Sequence, residues 1–521
     1  MRRYISFFIL LLVGLSLSGC GNSGSGGGGD TFTMVLEAAP KTLDPLRGFD
    51  ASSERFRQLM FNSLVKKNER FEYVGDLAAD IGRAPDGLSY TIKLRDNVKF
   101  HDGRPLTSAD VKYTFDNFLA SDSPKAVPFF QGTGANKKPF IAGVDAPDPQ
   151  TVMFRLHEPW LELLANLVPV AIIPQGSFET QERQPLGTGP FKFARFDEAQ
   201  SVVDMTAFAD YWEGAPHIKN LRVSVLLDAN SQQAGLQSGR VDLAINTALS
   251  PDTYVALANA PDLKVVQAPG VNVQYLGFNT QSAPLNNARV RQAIAHAIDR
   301  ESLVKNLLQG QARLAHSILP QESWAYAPGM TYTYDPARAK QLLDEAGFRD
   351  PDGDGPAMRF DKPLSFKISA SNTVTRQFAG VIQNALKDVG IPVSIETLED
   401  NTLRDAQRSG QYQLTTGRWV GGNQDPIFLR DLFTFLTGGN FNRSRYSNPE
   451  LDKLLGEAVK TPDQAQAKQL YARAQDIISR EAPMLPLWYH NNMVVARAGV
   501  SNIQIEPGGD WKFVRLLTVN K

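Results

Sequence analysis

Residues 94–118 (LRDNVKFHDGRPLTSADVKYTFDNF) constrain the fold most, because their pattern specifies a strand, a turn and a helix in that order. Residues 90–94 alternate between apolar and polar side chains, which is the period of a half-buried strand. His101-Asp102-Gly103 predicts a tight turn, since glycine adopts positive φ without steric cost. Thr107 with Asp110 three residues later predicts a capping box at the start of an amphipathic helix. Taken alone, these residues predict local structure and no chemistry.

The length and composition of the chain limit its class. Its 521 residues are too many for one hydrophobic core, so we expect two or more domains. The apolar content of 42% and charged content of 21% are those of an ordinary globular protein. A net charge of −1 gives no general attraction to nucleic acid or to an anionic membrane surface, and a single cysteine excludes a disulfide framework.

The N-terminus has the pattern of an export signal. Two arginines at positions 2 and 3 precede a short apolar run at 4–13, which is too brief for a stable membrane span. The following Leu17-Ser18-Gly19-Cys20 resembles a bacterial lipobox, in which the cysteine is lipidated after cleavage. We therefore predict a signal peptide at 1–19, a lipid anchor at Cys20 and a flexible Gly/Ser tether at 20–30, with the alternative of a plain signal peptide and an incidental cysteine.

The C-terminal half of the chain alternates strand and helix patterns. Residues 364–368 and 393–398 predict strands on either side of a helix at 373–389, and 412–419 predicts another strand. Strand-helix-strand spacing of this kind indicates parallel pairing in an α/β lobe. Residues 287–308 predict one long amphipathic helix that ends near Gly310.

Nearly all of the mature chain resembles one known family. The run at 94–118 resembles the signature of the bacterial extracellular solute-binding proteins of the peptide/nickel-binding family, the receptors that supply ABC importers. Four later stretches resemble landmarks of that family in the same order, namely PLGTGPFKF (185–193), RVRQAIAHAIDRESLV (289–304), YDPARAKQLLDEAGF (334–348) and NFNRSRYSNPELDKLL (440–455). The resemblance implies an α/β protein of two lobes, like a type II, hinge-bending periplasmic binding protein, with an extra subdomain inserted in the first lobe.

The resemblance also implies where the domains lie. We predict a first lobe at 31–270 plus 486–521, an inserted subdomain at about 46–181 and a second lobe at 271–485. Ligand binding by closure of the lobes is then expected, with permease subunits of an importer and a bacterial membrane as partners, no nucleic acid and a monomeric chain.

Motifs of the common enzyme and nucleotide-binding classes are absent from the sequence. There is no GxSxG, HExxH, CxxC or Walker A motif, and the six histidines are never paired at helical spacing. We therefore predict no catalytic residues and no required cofactor. His101-Asp102-Gly103 is interpreted as a structural turn, and the glycines of 185–193 are interpreted likewise because no GK[ST] follows.

The stretch 418–428 (RWVGGNQDPIF) is the strongest candidate for ligand binding. It follows a strand, and strand ends that open into an α/β crevice are where ligands usually bind. Exposed glycine backbone there can pair with an extended ligand. In peptide-binding relatives an aspartate of this motif holds the peptide's amino group, but Gly422 stands at that position here and Asp425 lies three residues further on. An alternative interpretation makes Trp419 a core residue and the glycines a turn.

The candidate site is completed by residues whose place in the resemblance puts them along the cleft. The full predicted set is Ala38, Ala39, Asn272, Arg418, Trp419, Val420, Gly421, Gly422, Asn440, Asn442, Trp488 and His490.

An aspartate-rich segment raises a separate hypothesis. Asp350, Asp352, Asp354 and Asp361 fall at the first, third, fifth and twelfth positions of a loop, the spacing of a calcium-binding loop. The segment departs from an EF-hand, because Asp replaces the usual Glu at the twelfth position and a strand pattern follows. A solvated acidic turn is the alternative, and any calcium would stabilise structure.

These observations predict an extracytoplasmic receptor of an ABC importer that captures a small, peptide-like solute. Two alternatives stay open: a receptor of the same class for an oligosaccharide, opine or metal chelate, and a cell-surface hydrolase or transferase.

Overall fold

The computed structural model describes residues 31–36, 38–131, 137–246, 249–349, 359–370, 373–421, 424–436 and 441–520. Two large sheets dominate these residues. The first sheet has seven strands, in the order β10-β11-β12-β1-β13-β21-β14. They are β1 (Thr31–Leu36), β10 (Phe191–Asp197), β11 (Val202–Ala207), β12 (Asn220–Val225), β13 (Leu243–Ile245), β14 (Leu263–Ala268) and β21 (Asn492–Arg497). Strand β1 runs parallel to β12 and β13, and β21 runs antiparallel to β13 and β14.

The second sheet has six strands, in the order β16-β20-β15-β19-β17-β18. They are β15 (Val273–Phe278), β16 (Ala312–Leu314), β17 (Leu364–Ser369), β18 (Val393–Leu398), β19 (Leu414–Trp419) and β20 (Met484–His490). Strand β17 pairs in parallel with both β18 and β19, which confirms the predicted parallel pairing. Strand β15 is antiparallel to its two neighbours, β19 and β20. All six residues of β15 are buried, as expected for a strand covered on both faces.

Smaller sheets complete the strand structure of the described residues. A four-stranded antiparallel sheet in the order β4-β5-β9-β8 packs against helix α2 (Ser108–Ala120) within the predicted insert. Its strands are β4 (Ala78–Arg83), β5 (Ser89–Leu94), β8 (Ile141–Asp148) and β9 (Thr151–Leu156). Three two-stranded sheets pair β2 (Val65–Lys67) with β3 (Tyr73–Gly75), β6 (Phe130–Gln131) with β7 (Lys138–Pro139), and β22 (Val500–Ser501) with β23 (Thr518–Val519).

The remaining α-helices surround the sheets. They are α1 (Ala51–Met60), α3 (Leu163–Leu167), α4 (Ala229–Gln237), α5 (Pro251–Ala258), α6 (Ala288–Ala297), α7 (Arg300–Ser302), α8 (Pro336–Glu345), α9 (Thr373–Lys387), α10 (Asp400–Ser409), α11 (Phe428–Phe433), α12 (Pro449–Ala458) and α13 (Gln464–Glu481). None of the helices in the described ranges combines the length and apolarity that a membrane span requires.

The single helix predicted at 287–308 is wrong. The structure breaks it into α6, α7 and a π-helical turn at Leu303–Leu307. The cause is Asp299, whose side chain accepts a hydrogen bond from the Ser302 backbone at 2.9 Å and so begins a new helix. An aspartate that satisfies backbone donors in this way competes with helix continuation.

The chain passes between the two large sheets twice. Residues 269–272 join β14 to β15, and Asn491 joins β20 to β21. The first crossing lies beside residues 270 and 271, where the first lobe was predicted to end. The second lies at Asn491, whereas the predicted boundary at 485/486 falls inside β20, because every residue of that strand completes the second sheet. The crossing strands touch closely at Gly270, where a Cβ would come within 2.1 Å of the His490 carbonyl oxygen.

Each large sheet is covered on both faces. One face of the first sheet shares a continuous apolar core with the four-stranded insert, and the other face packs under α4 and α5. The second sheet carries one core beneath α6, α8 and α9 and another beneath α11, α12 and α13. Two three-layer α/β lobes result, the first of them enlarged by the insert.

The signature at 94–118 has the predicted form. Gly103 has φ +89°, and Thr107 and Asp110 form the predicted capping box. His101 is buried, and its Nε2 hydrogen-bonds the Gly189 carbonyl at 3.0 Å while its backbone N–H donates to the Gly187 carbonyl at 2.9 Å. Burial lowers the pKa of His101 to about 4, so this histidine is neutral at physiological pH. It ties the signature turn to the 185–193 motif, which supports the structural interpretation of both.

Candidate functional site

The topology brings three strand ends to the line between the sheets. Strand β21 begins directly after the second crossing. Strand β13 is antiparallel to β21 and therefore ends near that crossing, and β1 ends there too because it is parallel to β13. In the second sheet β20 ends at the same crossing, so the antiparallel β15 begins there and β19 ends there. The carboxyl ends of β1, β13 and β19 thus border one inter-lobe cleft, the position where α/β sheets bind ligands.

Four of the predicted site residues at these ends are exposed. Ala38 and Ala39, which come shortly after β1, are exposed. At the end of β19, Arg418 is exposed and Val420 is 57% exposed. Gly421 follows with φ +73°, a conformation that favours glycine. Residues from both lobes therefore offer backbone to the cleft.

Asn272 fixes the position of this edge. Its side-chain oxygen accepts a hydrogen bond from the Gly421 backbone at 3.3 Å, and its carbonyl accepts one from the His490 backbone at 2.9 Å. The residue therefore joins the end of β19 to the crossing between the lobes. It supports the site by positioning backbone.

Trp419 is a core residue of the second lobe, which favours the alternative interpretation of its ring. It is 7% exposed and stacks on Tyr275 with ring centroids 5.4 Å apart. Phe428 packs edge-on against it at 5.2 Å, and the Arg443 guanidinium lies 4.7 Å from its ring centroid. These contacts occupy the ring, so Trp419 anchors the segment whose neighbours face the cleft.

Trp488 and His490 act as a pair. Trp488 is fully buried and packs against Phe378, so its ring is not open to a ligand. Its indole N–H donates to His490 Nε2 at 3.2 Å. Because Nε2 accepts, the proton of a neutral His490 ring lies on Nδ1. Burial, with the nearby Arg418 guanidinium as a second cause, lowers the pKa of His490 to about 3, so the ring stays neutral.

The other predicted residues are placed differently. Asn442 is buried, and its side chain donates to the Tyr446 carbonyl at 2.8 Å and accepts from the Ser444 hydroxyl at 3.1 Å. It holds a turn in the second lobe and presents no group to the cleft. Gly422, Asn440 and the lipidation residue Cys20 lie outside the described residues.

The calcium hypothesis is not addressed by the described part of the chain. Asp350, Asp352 and Asp354 lie outside it, and Asp361 is exposed. Across the residues that the structure does describe, no cluster of three or more His, Cys, Asp or Glu side chains could hold a metal ion.

Side chains of the two lobes also meet directly. Arg430 of α11 donates to the Glu162 carboxylate of the insert at 2.9 Å, and both side chains are at least three-quarters buried. The Tyr73 hydroxyl of β3 donates to the Asp425 carboxylate, whose other oxygen accepts from the Ile427 backbone at 3.0 Å. These four side chains, Tyr73, Glu162, Asp425 and Arg430, are called the cross-lobe contacts below.

Most of the cross-lobe contacts have no signal in the sequence. Glu162 and Arg430 are 268 positions apart, and neither belongs to a motif. Asp425 was noted only for its distance from the expected ammonium-binding position. Gln274 was also missed: it pairs with Arg418 and Trp488 across the second sheet and donates to Thr416 Oγ1 at 2.8 Å. Its polar side chain within an apolar strand was the available signal.

Two α/β lobes joined by two crossings, with exposed strand ends along the cleft between them, define a binding protein of the periplasmic type. Residues 72–441 match the family model "Bacterial extracellular solute-binding proteins, family 5 Middle". The chain belongs to this family, and it is a solute-binding receptor.

Individual relatives match along nearly their whole length. The chain is 30% identical to heme-binding protein A of Haemophilus influenzae, over 88% of this chain and 87% of that protein. It is 28% identical to the oligopeptide-binding protein AppA of Bacillus subtilis, over 90% and 88% respectively. Among solved structures, HbpA2 from Haemophilus parasuis superposes with a TM-score of 0.78 at 27% identity, covering 94% of this chain and all of that one.

Proposed function

We propose that this chain is the ligand receptor of an ABC importer, that it captures a peptide-like solute between its lobes, and that it transforms nothing. The observation that carries the proposal is the backbone at exposed residues on strand ends of both lobes, namely Ala38 and Ala39 after β1 and Arg418 and Val420 at the end of β19. Such backbone can pair with an extended ligand as an added strand, which gives affinity with little dependence on side chains. Relatives named for oligopeptide and dipeptide binding support this ligand class.

Closure supplies the mechanism. The cross-lobe contacts form only when the insert meets α11 and Asp425 just before it, so they belong to a closed arrangement. A ligand that contacts both lobes binds the closed form better than the open form and shifts the equilibrium toward it. A permease that recognises the closed form then accepts only loaded receptors. ATP hydrolysis belongs to separate subunits.

The proposal includes a lipid anchor at Cys20, with the chain held at a bacterial membrane on the extracytoplasmic side. The support is the lipobox-like Leu17-Ser18-Gly19-Cys20 and the tether that follows it. Expression of the full chain and of its Cys20→Ser variant in a bacterial host, followed by detergent-phase partitioning, tests this. The original chain is expected in the detergent phase and the variant in the aqueous phase. Equal partitioning of both contradicts the anchor.

Ligand recovery tests the receptor function most directly. The purified chain is denatured, and the released small molecules are identified by mass spectrometry and then added back in calorimetry. Stoichiometric rebinding without chemical change, accompanied by a decrease in the radius of gyration in solution scattering, is the expected result. Recovery of a sugar or metal chelate would favour the non-peptide receptor, and appearance of a product would favour the hydrolase or transferase.

A further inference from the structure

The cleft contains a cation without a carboxylate partner. Arg418 is the penultimate residue of β19, its side chain is exposed, and it forms no hydrogen bond or ion pair with the residues that the structure describes. It lies in the register of Gln274 on β15, on the face of the second sheet opposite to Trp419. Its guanidinium is close enough to His490 to contribute to the low pKa of that ring.

The polar neighbours of Arg418 in the sheet are Gln274 and His490, and the Gln274 side-chain oxygen lies 3.5 Å from His490 Nε2. His490 accepts from Trp488 at Nε2 and so carries its proton on Nδ1. Gln274 uses its amide N–H on Thr416, at 2.8 Å. A neutral imidazole and an exposed guanidinium thus lie on either side of Gln274 at the strand ends that border the cleft, and this combination fits an acceptor group with negative charge.

The described carboxylate nearest in the motif already accepts two hydrogen bonds in this arrangement of the lobes. Asp425 accepts the Tyr73 hydroxyl through one oxygen and the Ile427 backbone N–H through the other. Burial lowers the pKa of Lys67, which is half-buried on β2, and the negative charge of Asp425 partly offsets that lowering. A ligand ammonium placed here would meet a carboxylate that is already bonded and compensated.

From these contacts we infer that Arg418, with His490 as an auxiliary donor, binds a carboxylate of the ligand. The inference rests on the proposed function and specifies its ligand: an acidic solute whose carboxylate sits at the end of β19. Guanidinium and carboxylate form two parallel hydrogen bonds, so the site discriminates by geometry as well as charge. The carboxylate can be the C-terminus of a short peptide or an acidic side chain.

Binding of a low-molecular-weight extract of bacterial cells, detected by native mass spectrometry, tests the inference in three proteins. They are the original chain, Arg418→Gln and Arg404→Gln. The last is a matched control because Arg404 is exposed on α10 and, among the described residues, its side chain bonds only to Asn401 within the same helix. Acidic compounds are expected on the original chain and the control. Arg418→Gln is expected to weaken them about ten- to a hundredfold, and Arg418→Lys by less, since charge persists without the planar fork.

Defined probes separate the two sources of the carboxylate. Trialanine, its C-terminal amide and its N-acetyl form are compared with Ala-Glu-Ala amide, whose acid is in a side chain. Loss of binding on C-terminal amidation assigns the peptide terminus, and binding of Ala-Glu-Ala amide alone assigns the side chain. Ring ¹⁵N shifts of His490 are expected to move with each bound acid and to stay fixed with neutral probes.

The outcomes also separate the two proposals. If the original chain retains nothing from the extract, the receptor function is contradicted, and this inference with it. If it retains neutral or cationic solutes that Arg418→Gln binds equally well, the receptor function stands and the carboxylate site is overturned.

Discussion

Two clusters of oppositely charged side chains differ in which parts of the molecule they join. Within the first lobe, Glu54 of α1 accepts from Arg57 Nε at 2.6 Å and from the ammonium of Lys125. Between the lobes, Glu162 accepts from Arg430 at 2.9 Å. The first group is surrounded by a core that does not open unless the lobe unfolds, whereas the second separates when the lobes part. The same chemistry therefore contributes to fold stability in one place and to the open–closed equilibrium in the other.

The largest expected effect is on the buried group. Glu54→Gln leaves Lys125 and Arg57 without their carboxylate, while their side chains are only 5% and 10% exposed. Removing one partner of a buried ion pair costs about 3 kcal/mol in the free energy of unfolding. We expect a lower urea midpoint for the first-lobe transition and an unchanged ligand affinity in the folded state.

A matched control uses an exposed pair. Glu450 lies 3.8 Å from Arg473, and both side chains are about two-thirds exposed. Glu450→Gln is expected to change the free energy of unfolding by less than about 0.5 kcal/mol. If both variants shift the midpoint equally, burial does not distinguish the two carboxylates and the comparison fails.

The next prediction concerns acid. Although burial opposes it, the charges of Arg57 and Lys125 and their hydrogen bonds lower the pKa of Glu54 below its ordinary 4.5. A carboxyl with a depressed folded-state pKa contributes stability above its unfolded-state pKa, and that contribution is lost as the pH falls through the folded value. The difference in melting temperature between the original chain and Glu54→Gln should therefore shrink from about pH 6 to about pH 3. A constant difference contradicts the assigned charge.

Local patterns in the sequence predicted much of the fold. The Thr107–Asp110 capping box and the parallel pairing of β17 with β18 and β19 depend on residues close in sequence or on regular spacing, and the structure shows them. The prediction of a single helix at 287–308 failed because apolar periodicity continues across Asp299. The break depends on the Asp299 side chain, which accepts a hydrogen bond from the backbone. Periodicity reports burial and does not report that competition.

The site was less predictable, for a different reason. Exposed Arg418 and buried Trp419 are neighbours in one strand, and only the alternation of strand faces together with tertiary packing separates their roles. Likewise, Trp488 is a core residue while His490, two positions later on the same strand, is only half-buried where β20 ends. Which residue at a strand end meets solvent depends on the other lobe, which a local pattern does not contain.

At the cross-lobe contacts, Tyr73→Phe removes one hydrogen bond and little volume. In the closed form Asp425 then lacks the donor that Tyr73 supplied. In the open form water bonds to Asp425 whether residue 73 is Tyr or Phe, so only the closed form loses a hydrogen bond. A hydrogen bond to a charged group that is partly buried contributes about 1 kcal/mol here, or about fivefold in ligand affinity. The melting temperature of the unliganded chain should not change. Tyr113→Phe is the control: its hydroxyl accepts from the Phe178 backbone within the first lobe, so it should affect stability and leave affinity alone.

The smallest expected effect belongs to Glu162 and Arg430. Their side chains are 24% and 16% exposed, and Arg430 keeps Asp431 at 3.6 Å when Glu162 is replaced. Glu162→Gln and Arg430→Gln should each weaken ligand binding about two- to threefold, because a partly solvated pair contributes about 0.5 kcal/mol. Calorimetry at low and at high salt should show that the difference in ligand affinity between the original chain and each variant shrinks as salt screens the charges.

A double-mutant cycle decides whether these two losses are one interaction. If the pair closes the cleft, combining Glu162→Gln with Arg430→Gln should weaken binding no more than the worse single change. Arg338→Gln, which breaks a pair with Glu345 inside the second lobe, should leave affinity unchanged. Additive losses, or losses that appear equally in the melting temperature of the unliganded chain, would show that Glu162 and Arg430 stabilise their own lobes. In that case the contrast with the Glu54 group would be one of degree, since neither group would act on closure.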